Sequence, residues 1–266
     1  MRNYSNTITL SKNARGIYSI DTVLGCSSGT AINKNGCYND CYAARISRAY
    51  GYDFTKSTVR YFKNENHKHL IASAAQRVPL PFVRIGTMGD PSEAWGHTVS
   101  VCEAISSVAQ LKIFHEPPKE IVIITKHWKK LTDEQLMRLG KINVCINTSV
   151  SALDELGNIS EMLYEYERIK PYCKSVLRVV SCDFNIDNET GHNLHKIQAE
   201  LFKHSNTLDT VFRPSKNNPF VTSGVINVKK EVFNGKKQLA SKFNRKTYMG
   251  KCSTCSEMCG ANFKKP

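Results

Sequence analysis

The chain has 266 residues, 41% of them hydrophobic, and its 37 Lys or Arg against 23 Asp or Glu give a net charge of +14. That length suffices for one full core, and the absence of an 18-residue apolar run or an apolar leader excludes a membrane-spanning or signal-bearing reading, so a cytoplasmic setting without membrane contact is expected. In that compartment the ten cysteines read as buried thiols or metal ligands rather than disulfides.

In chain order, residues 17–24 form a strand-like run, followed by a Gly-rich, turn-prone stretch carrying Cys26, Cys37 and Cys41 with Tyr38 and Tyr42 among them. Gly25, Gly29, Gly36, Asn33 and Asn35 favour turns, so these thiols are expected on a loop at a strand's C-terminal end. Residues 42–50 and 66–77 have helical spacing, the second helix ending at Pro79 and Pro81. An alternating order then sets in: strands at 82–87, 120–125, 141–148, 175–182 and 208–212, with helices at 98–110, 133–139, 159–169 and 192–204. Thr132 is a candidate N-cap of the 133–139 helix. Cys102, Cys145, Cys173 and Cys182 lie in or beside these apolar segments and read as packing residues.

Six strands separated by helices predict an α/β fold with a parallel sheet and right-handed crossovers, either doubly wound or a full or partial barrel. No GxGxxG opens the first helix, which disfavours a dinucleotide fold. In a barrel, residues at the strand C-termini share one mouth. Those positions are the cysteine loop, then the segments 87–93, 125–128, 147–151, 182–185 and 213–218, each carrying polar or charged residues.

This layout resembles the radical S-adenosylmethionine (SAM) superfamily over roughly residues 17–215. The resemblance rests on the cysteine loop after the first strand, the tyrosine beside its last cysteine, the Gly-Asp-Pro-Ser-Glu stretch at 89–93 after the second strand, and six βα units. The usual spacing in that family is Cys-x3-Cys-x2-Cys; here ten residues separate the first pair and three the second. The resemblance implies a (βα)6 partial TIM-type barrel over residues 1–222, with a basic extension at 223–266. It implies a 4Fe–4S cluster on Cys26, Cys37 and Cys41 whose fourth iron binds SAM, and an electron donor such as flavodoxin or ferredoxin. Reductive cleavage of SAM would then yield the radical that takes a hydrogen from substrate. Gly89, Asp90 and Glu93 are the implied contacts to the amino group of SAM; Ser149, Ser151 and Arg178 to its ribose and carboxylate; Tyr38 or Tyr42 to its adenine. Lys126, His127, Asp183 and Arg213 are the residues expected to hold substrate.

A second triplet, Cys252, Cys255 and Cys259, has the order Cys-x2-Cys-x3-Cys. Its first half is a strong thiolate chelate, and no His or Cys follows to complete it. An auxiliary Fe–S cluster, a structural zinc, or the SAM cluster itself are the readings left open. From residue 229 to the end, ten Lys or Arg face two acids, with Phe233, Phe243, Tyr248 and Phe263 interleaved. Cations beside aromatics suit a nucleic acid or nucleotide, and the Cys-Tyr-Ala and Gly-Asp-Pro-Ser-Glu sequences are similar to those of the DNA photoproduct lyase branch of the family. The rival reading is a zinc-stabilised nucleic-acid-binding protein without radical chemistry, in which both cysteine groups are structural. A metal-dependent hydrolase lacks support, since no HExxH occurs.

Overall fold

A computed structural model describes residues 1–109, 118–233, 236–240 and 254–264. In chain order its first elements are β1 (Leu10–Lys12), β2 (Tyr18–Ile20), β3 (Val23–Leu24), α1 (Ser27–Ile32), α2 (Tyr42–Ala49), β4 (Thr58–Val59), α3 (Glu65–Gln76), β5 (Phe82–Ile85) and α4 (Trp95–Ala109). There follow β6 (Glu120–Thr125), α5 (Asp133–Leu139), β7 (Val144–Val150), α6 (Leu156–Ile169), β8 (Lys174–Ser181), α7 (Glu189–Leu201), β9 (Thr207–Val211), α8 (Pro219–Thr222), β10 (Lys229–Phe233) and β11 (Lys236–Ala240).

Seven strands form one sheet in the order β1-β2-β5-β6-β7-β8-β9. Only β1 runs antiparallel to its neighbour; the other six are parallel and follow one another in chain order. Doubly wound sheets reverse their order at a switch point, so the strictly sequential order separates this fold from that alternative. With sequential order, right-handed crossovers deposit the helices on one face. That face buries Ile20, Val83, Ile85, Ile123 and Ile146 against Ala75 of α3, Val99 and Ile105 of α4, and Leu136 and Leu139 of α5. The result is an α/β protein with a mostly parallel sheet, compatible with a barrel-like arrangement; among the described residues β1 and β9 are its edges and no pairing closes it.

The opposite, inner face buries Phe82, Val122, Cys145, Val176 and Leu208, all from the N-terminal halves of their strands. Met258, Cys259, Ala261 and Phe263 pack on this layer. Lys174 Nζ donates to Ala261 O at 2.7 Å and Asn147 Nδ2 to Cys259 O at 3.0 Å. Gly260, at φ +89, passes so close that a Cβ there would stand 2.8 Å from Val176 Cγ2. Burying an aromatic such as Phe82 contributes about 1.5–3 kcal/mol, and both sheet faces are covered, as parallel sheets require.

Most expected elements appear, with shifts at their ends. Residues 120–125 and 133–139 match to the residue, the latter through a capping box in which Thr132 and Gln135 bond reciprocally. The expected single strand at 17–24 is instead two, β2 and β3, belonging to different sheets. Several short elements had no counterpart in the sequence reading: the antiparallel edge β1, α1, β4, α8, and the paired strands β10 and β11. Cys102, Cys145, Cys173 and Cys182 are all buried. No described helix is long and apolar enough to cross a membrane.

Candidate functional site

The cysteine segment stands at the C-terminal ends of the parallel strands and is more ordered than the expected loop. Gly25, at φ +79, donates its N–H to Met88 O at 2.9 Å. A side chain there would meet Lys56 O at 2.1 Å, so the chain crosses its neighbour only as glycine. Cys26 then caps α1, its Sγ accepting from Gly29 N at 3.3 Å, and Cys41 occupies the N-cap position of α2. Between them Cys37 opens a single 3-10 turn in which Tyr38 and Asn39 adopt left-handed backbone, φ 57 and 61.

Two of the three sulfurs thus stand at helix N-termini, where N–H dipoles favour a thiolate. Burial works against that and dominates: it pushes Cys37 up to about 12, with Lys126 pulling the other way, and it raises Cys26 and Cys41 as well. These buried thiols hold their protons at neutral pH unless a metal takes the proton's place. Glycines keep the space beside the sulfurs open. A Cβ at Gly29 would lie 2.8 Å from Cys26 Sγ, and one at Gly36 would lie 2.5 Å from Cys41 Cβ. Three thiols with cleared flanks fit a soft metal or an Fe–S cluster in donor chemistry. Among the described residues no three His, Cys, Asp or Glu side chains are gathered tightly enough to hold a metal ion as they stand.

The 89–93 stretch is fastened directly to this segment. Gly89 bridges Gly25, and a Cβ on Gly89 would stand 2.5 Å from Val23 O and 2.6 Å from Gly25 O. Glu93 accepts from Ser28 N at 2.9 Å and Ser27 Oγ at 3.0 Å, joining the first turn of α1. Although burial would raise it, these bonds and Lys129 hold Glu93 below the usual carboxylate range. Asp90 is engaged within the chain: it accepts from Thr125 Oγ1 at 2.7 Å, Lys126 N at 2.8 Å and Ser92 N at 2.9 Å, while its burial raises its pKa.

Lys126 forms an ion pair that the sequence reading missed. Its Nζ lies 2.6 and 2.8 Å from the two carboxylate oxygens of Asp154, with both side chains under 10% exposed. Tyr38 OH donates to the same carboxylate at 3.0 Å and Ser151 N at 2.8 Å. The ammonium also lies 4.8 Å from the centre of the Tyr38 ring and 5.7 Å from that of Trp128. Tyr38 meets Phe212 edge-on at 5.5 Å, and its carbonyl accepts from Asn218 Nδ2 at 2.9 Å. Asp40 accepts from Ser215 N. The cysteine segment therefore spans the mouth, touching loops that follow β5, β6, β7 and β9. The legible signal for Asp154 was Ser151-Ala-Leu-Asp154, a Ser-x-x-Asp pattern whose carboxylate folds back on the Ser N–H.

The remaining expected residues are dispersed. His127, at φ 53, is buried with its ring against Trp95, 5.8 Å between centroids, and its Nε2 bonded to Thr148 Oγ1 at 3.0 Å. Its Nδ1 has no partner, and burial, then Arg168, lowers its pKa to about 3, so it is a neutral core residue. Ser151 is buried and spends its hydroxyl on Val180 O at 2.7 Å. Ser149 is paired in register with Arg178 on the inner face. Asp183 follows β8 and Arg213 follows β9; Tyr42 is 55% exposed at the start of α2. Cys259 packs at the opposite end of the inner face, Cys255 is half-buried, and Cys252 lies outside the described residues. No family model, curated protein or solved structure matches this chain.

Proposed function

We propose that this chain is an iron–sulfur enzyme of the radical SAM type on a (βα)6 partial barrel. In this reading Cys26, Cys37 and Cys41 ligate a 4Fe–4S cluster, and the 89–93 stretch serves the SAM beside it. The observation that carries the reading is the junction of these two segments at the strand C-termini: Gly25 bridges Gly89, and Glu93 caps the helix that Cys26 begins. Two sequence features that the resemblance ties to one cofactor thus share one place in the fold.

The cluster and SAM, when bound, supply reductive cleavage and a hydrogen-abstracting radical. The chain's own part is to hold and to exclude. Cys26, Cys37 and Cys41 would hold the cluster as thiolates, giving up their protons, and Gly29 and Gly36 keep side chains out of the space beside Cys26 and Cys41. Glu93, occupied by Ser27 and Ser28, fixes Cys26 against the sheet. Lys126 and Asp154 hold Tyr38, and with it the Cys37 turn, over the mouth. The substrate in this proposal is a nucleic acid or nucleotide, supported by the net charge of +14.

The test is iron content after oxygen-free purification and reconstitution. Cys37→Ala is expected to lower iron by about four atoms per chain and to abolish SAM cleavage. Iron and cleavage equal to the parent protein would overturn the assignment, and zinc in place of iron in both proteins would favour the zinc-stabilised binding module.

A further inference from the structure

The helix α2, which begins at Cys41, has two contrasting sides. Its buried residues are Ala43, Ala44 and Ser47, all small, and a Cβ at Gly36 of the cysteine segment would stand 3.8 Å from Ala44 Cβ. With that side packed inward, the helical period sends Tyr42, Arg45 and Ala49 outward and sets Arg48 and Tyr50 on the flanks; all five are exposed. Tyr42 and Tyr50 are 55% and 68% exposed, and eight steps of about 1.5 Å separate them by roughly 12 Å along the axis. The charged residues between 31 and 51 are Lys34, Asp40, Arg45 and Arg48. The three cations are exposed. The side chain of Asp40 is only 7% exposed, and it accepts from Ser215 N and, at 3.4 Å, from Arg45 Nη1. Arg48 Nη2 donates to Asn35 Oδ1 at 2.6 Å. A guanidinium has five N–H donors, so one bond apiece leaves most of each fork for a ligand.

We infer that the outward face of α2 is a platform for single-stranded nucleic acid, laid beside the cysteine segment. Exposed tyrosines give unpaired bases a surface to stack on, and arginines between them in sequence meet the phosphates. A duplex keeps its base faces inside its own stack and offers this face only phosphates. The net charge of +14 and the burial of Asp40 set a polyanion above a protein partner here. Tyr42 directly follows Cys41, so a strand lying on this face has one end at the cysteines. The inference rests on the nucleic-acid part of the proposed function and not on the cluster; strand binding and iron content are measured separately, so either can fail alone.

The experiment measures binding of the full chain, purified without oxygen, to a fluorescent single-stranded DNA of about 12 nucleotides across a salt series. The variant Arg45→Gln/Arg48→Gln is expected to bind about tenfold more weakly at moderate salt and to flatten the log–log salt slope by about 1.4, two single-strand phosphate contacts' worth. Arg45→Lys/Arg48→Lys, which keeps the charge, is expected to stay within about threefold of the parent. A charge-matched control, Lys196→Gln/Lys203→Gln on α7 and just beyond it, is expected to stay within about twofold. Tyr42→Ala/Tyr50→Ala is expected to lose at least about fivefold, and an abasic strand of the same length, which has the phosphates without the bases, to bind the parent at least about fivefold more weakly than the intact strand. Parental affinity in either the arginine-to-glutamine or the tyrosine variant would overturn the inference. So would an equal loss in the lysine control, equal binding of the abasic strand, or tighter binding of a DNA duplex or of phosphatidylserine vesicles than of the single strand.

Discussion

Replacing Lys126 by Met tests the ion pair that anchors the cysteine segment. The carboxylate of Asp154 would keep Tyr38 OH and Ser151 N as donors and lose both bonds from the ammonium, at 2.6 and 2.8 Å. Both side chains are under 10% exposed, so water cannot replace the missing charge. Removing one partner of such a pair costs about 3–5 kcal/mol, mainly the penalty of the stranded ion. The double variant Lys126→Met/Asp154→Asn removes that ion, and its amide oxygen still accepts from Ser151 N. It is expected to recover at least about 2 kcal/mol, a coupling of the size seen for interacting neighbours. Urea denaturation followed by fluorescence reads these differences, and thermal melts should show Lys126→Met at least about 6 °C lower. Hydrogen exchange of residues 35–42 should quicken in Lys126→Met, since the Asp154 carboxylate that accepts from Tyr38 OH loses the ammonium that anchors it. A cost below about 1 kcal/mol for Lys126→Met, with additive behaviour in the double variant, would refute the reasoning.

Two further predictions follow from single positions. Gly89→Ala would place a methyl 2.5 and 2.6 Å from two carbonyl oxygens of the cysteine segment, so a loss of about 1–3 kcal/mol is expected by denaturation; parental stability would show that the crossing is not close. His127 has a folded pKa near 3, depressed by burial and then Arg168, against an ordinary value near 6.5. The unfolded chain binds a proton that the native state refuses, so stability is full above about pH 7 and falls as pH drops toward 3. At pH 5 the loss is about 2 kcal/mol, and His127→Asn, which tolerates left-handed backbone, should remove that much of the change between pH 7 and pH 5. An unaltered pH dependence in the variant would contradict the neutral, buried assignment.

The legible parts of the fold were those with strong local signals. In the strand 120–125 the four residues 121–124 are continuously apolar between polar flanks, and 133–139 carries its own capping box, so both elements are determined within a few residues. The break between β2 and β3 is not local. Asp21 turns from the strand to accept from Thr87 N and Met88 N, and Thr22 bonds Thr98 across 76 residues. The α1 helix was hidden for a similar reason: Gly29, Thr30 and Ile32 give it poor propensity, and it is held by the Cys26 cap and by Glu93 from a distant turn. At the site, the cysteine and 89–93 segments were readable as motifs, whereas Asp154 required knowing that its loop faces Lys126. His127 was misplaced because a strand-end residue was assumed to face the mouth, and its left-handed backbone turns it into the helical layer instead.

The most direct test of the central claim is low-temperature electron paramagnetic resonance of the dithionite-reduced protein, purified without oxygen and carrying Ala at Cys252, Cys255 and Cys259. The account predicts a reduced 4Fe–4S signal that shifts when SAM is added, because Cys26, Cys37 and Cys41 leave one iron open to it. An iron signal present in the parent protein and lost in this variant, or zinc without iron in both, would contradict it.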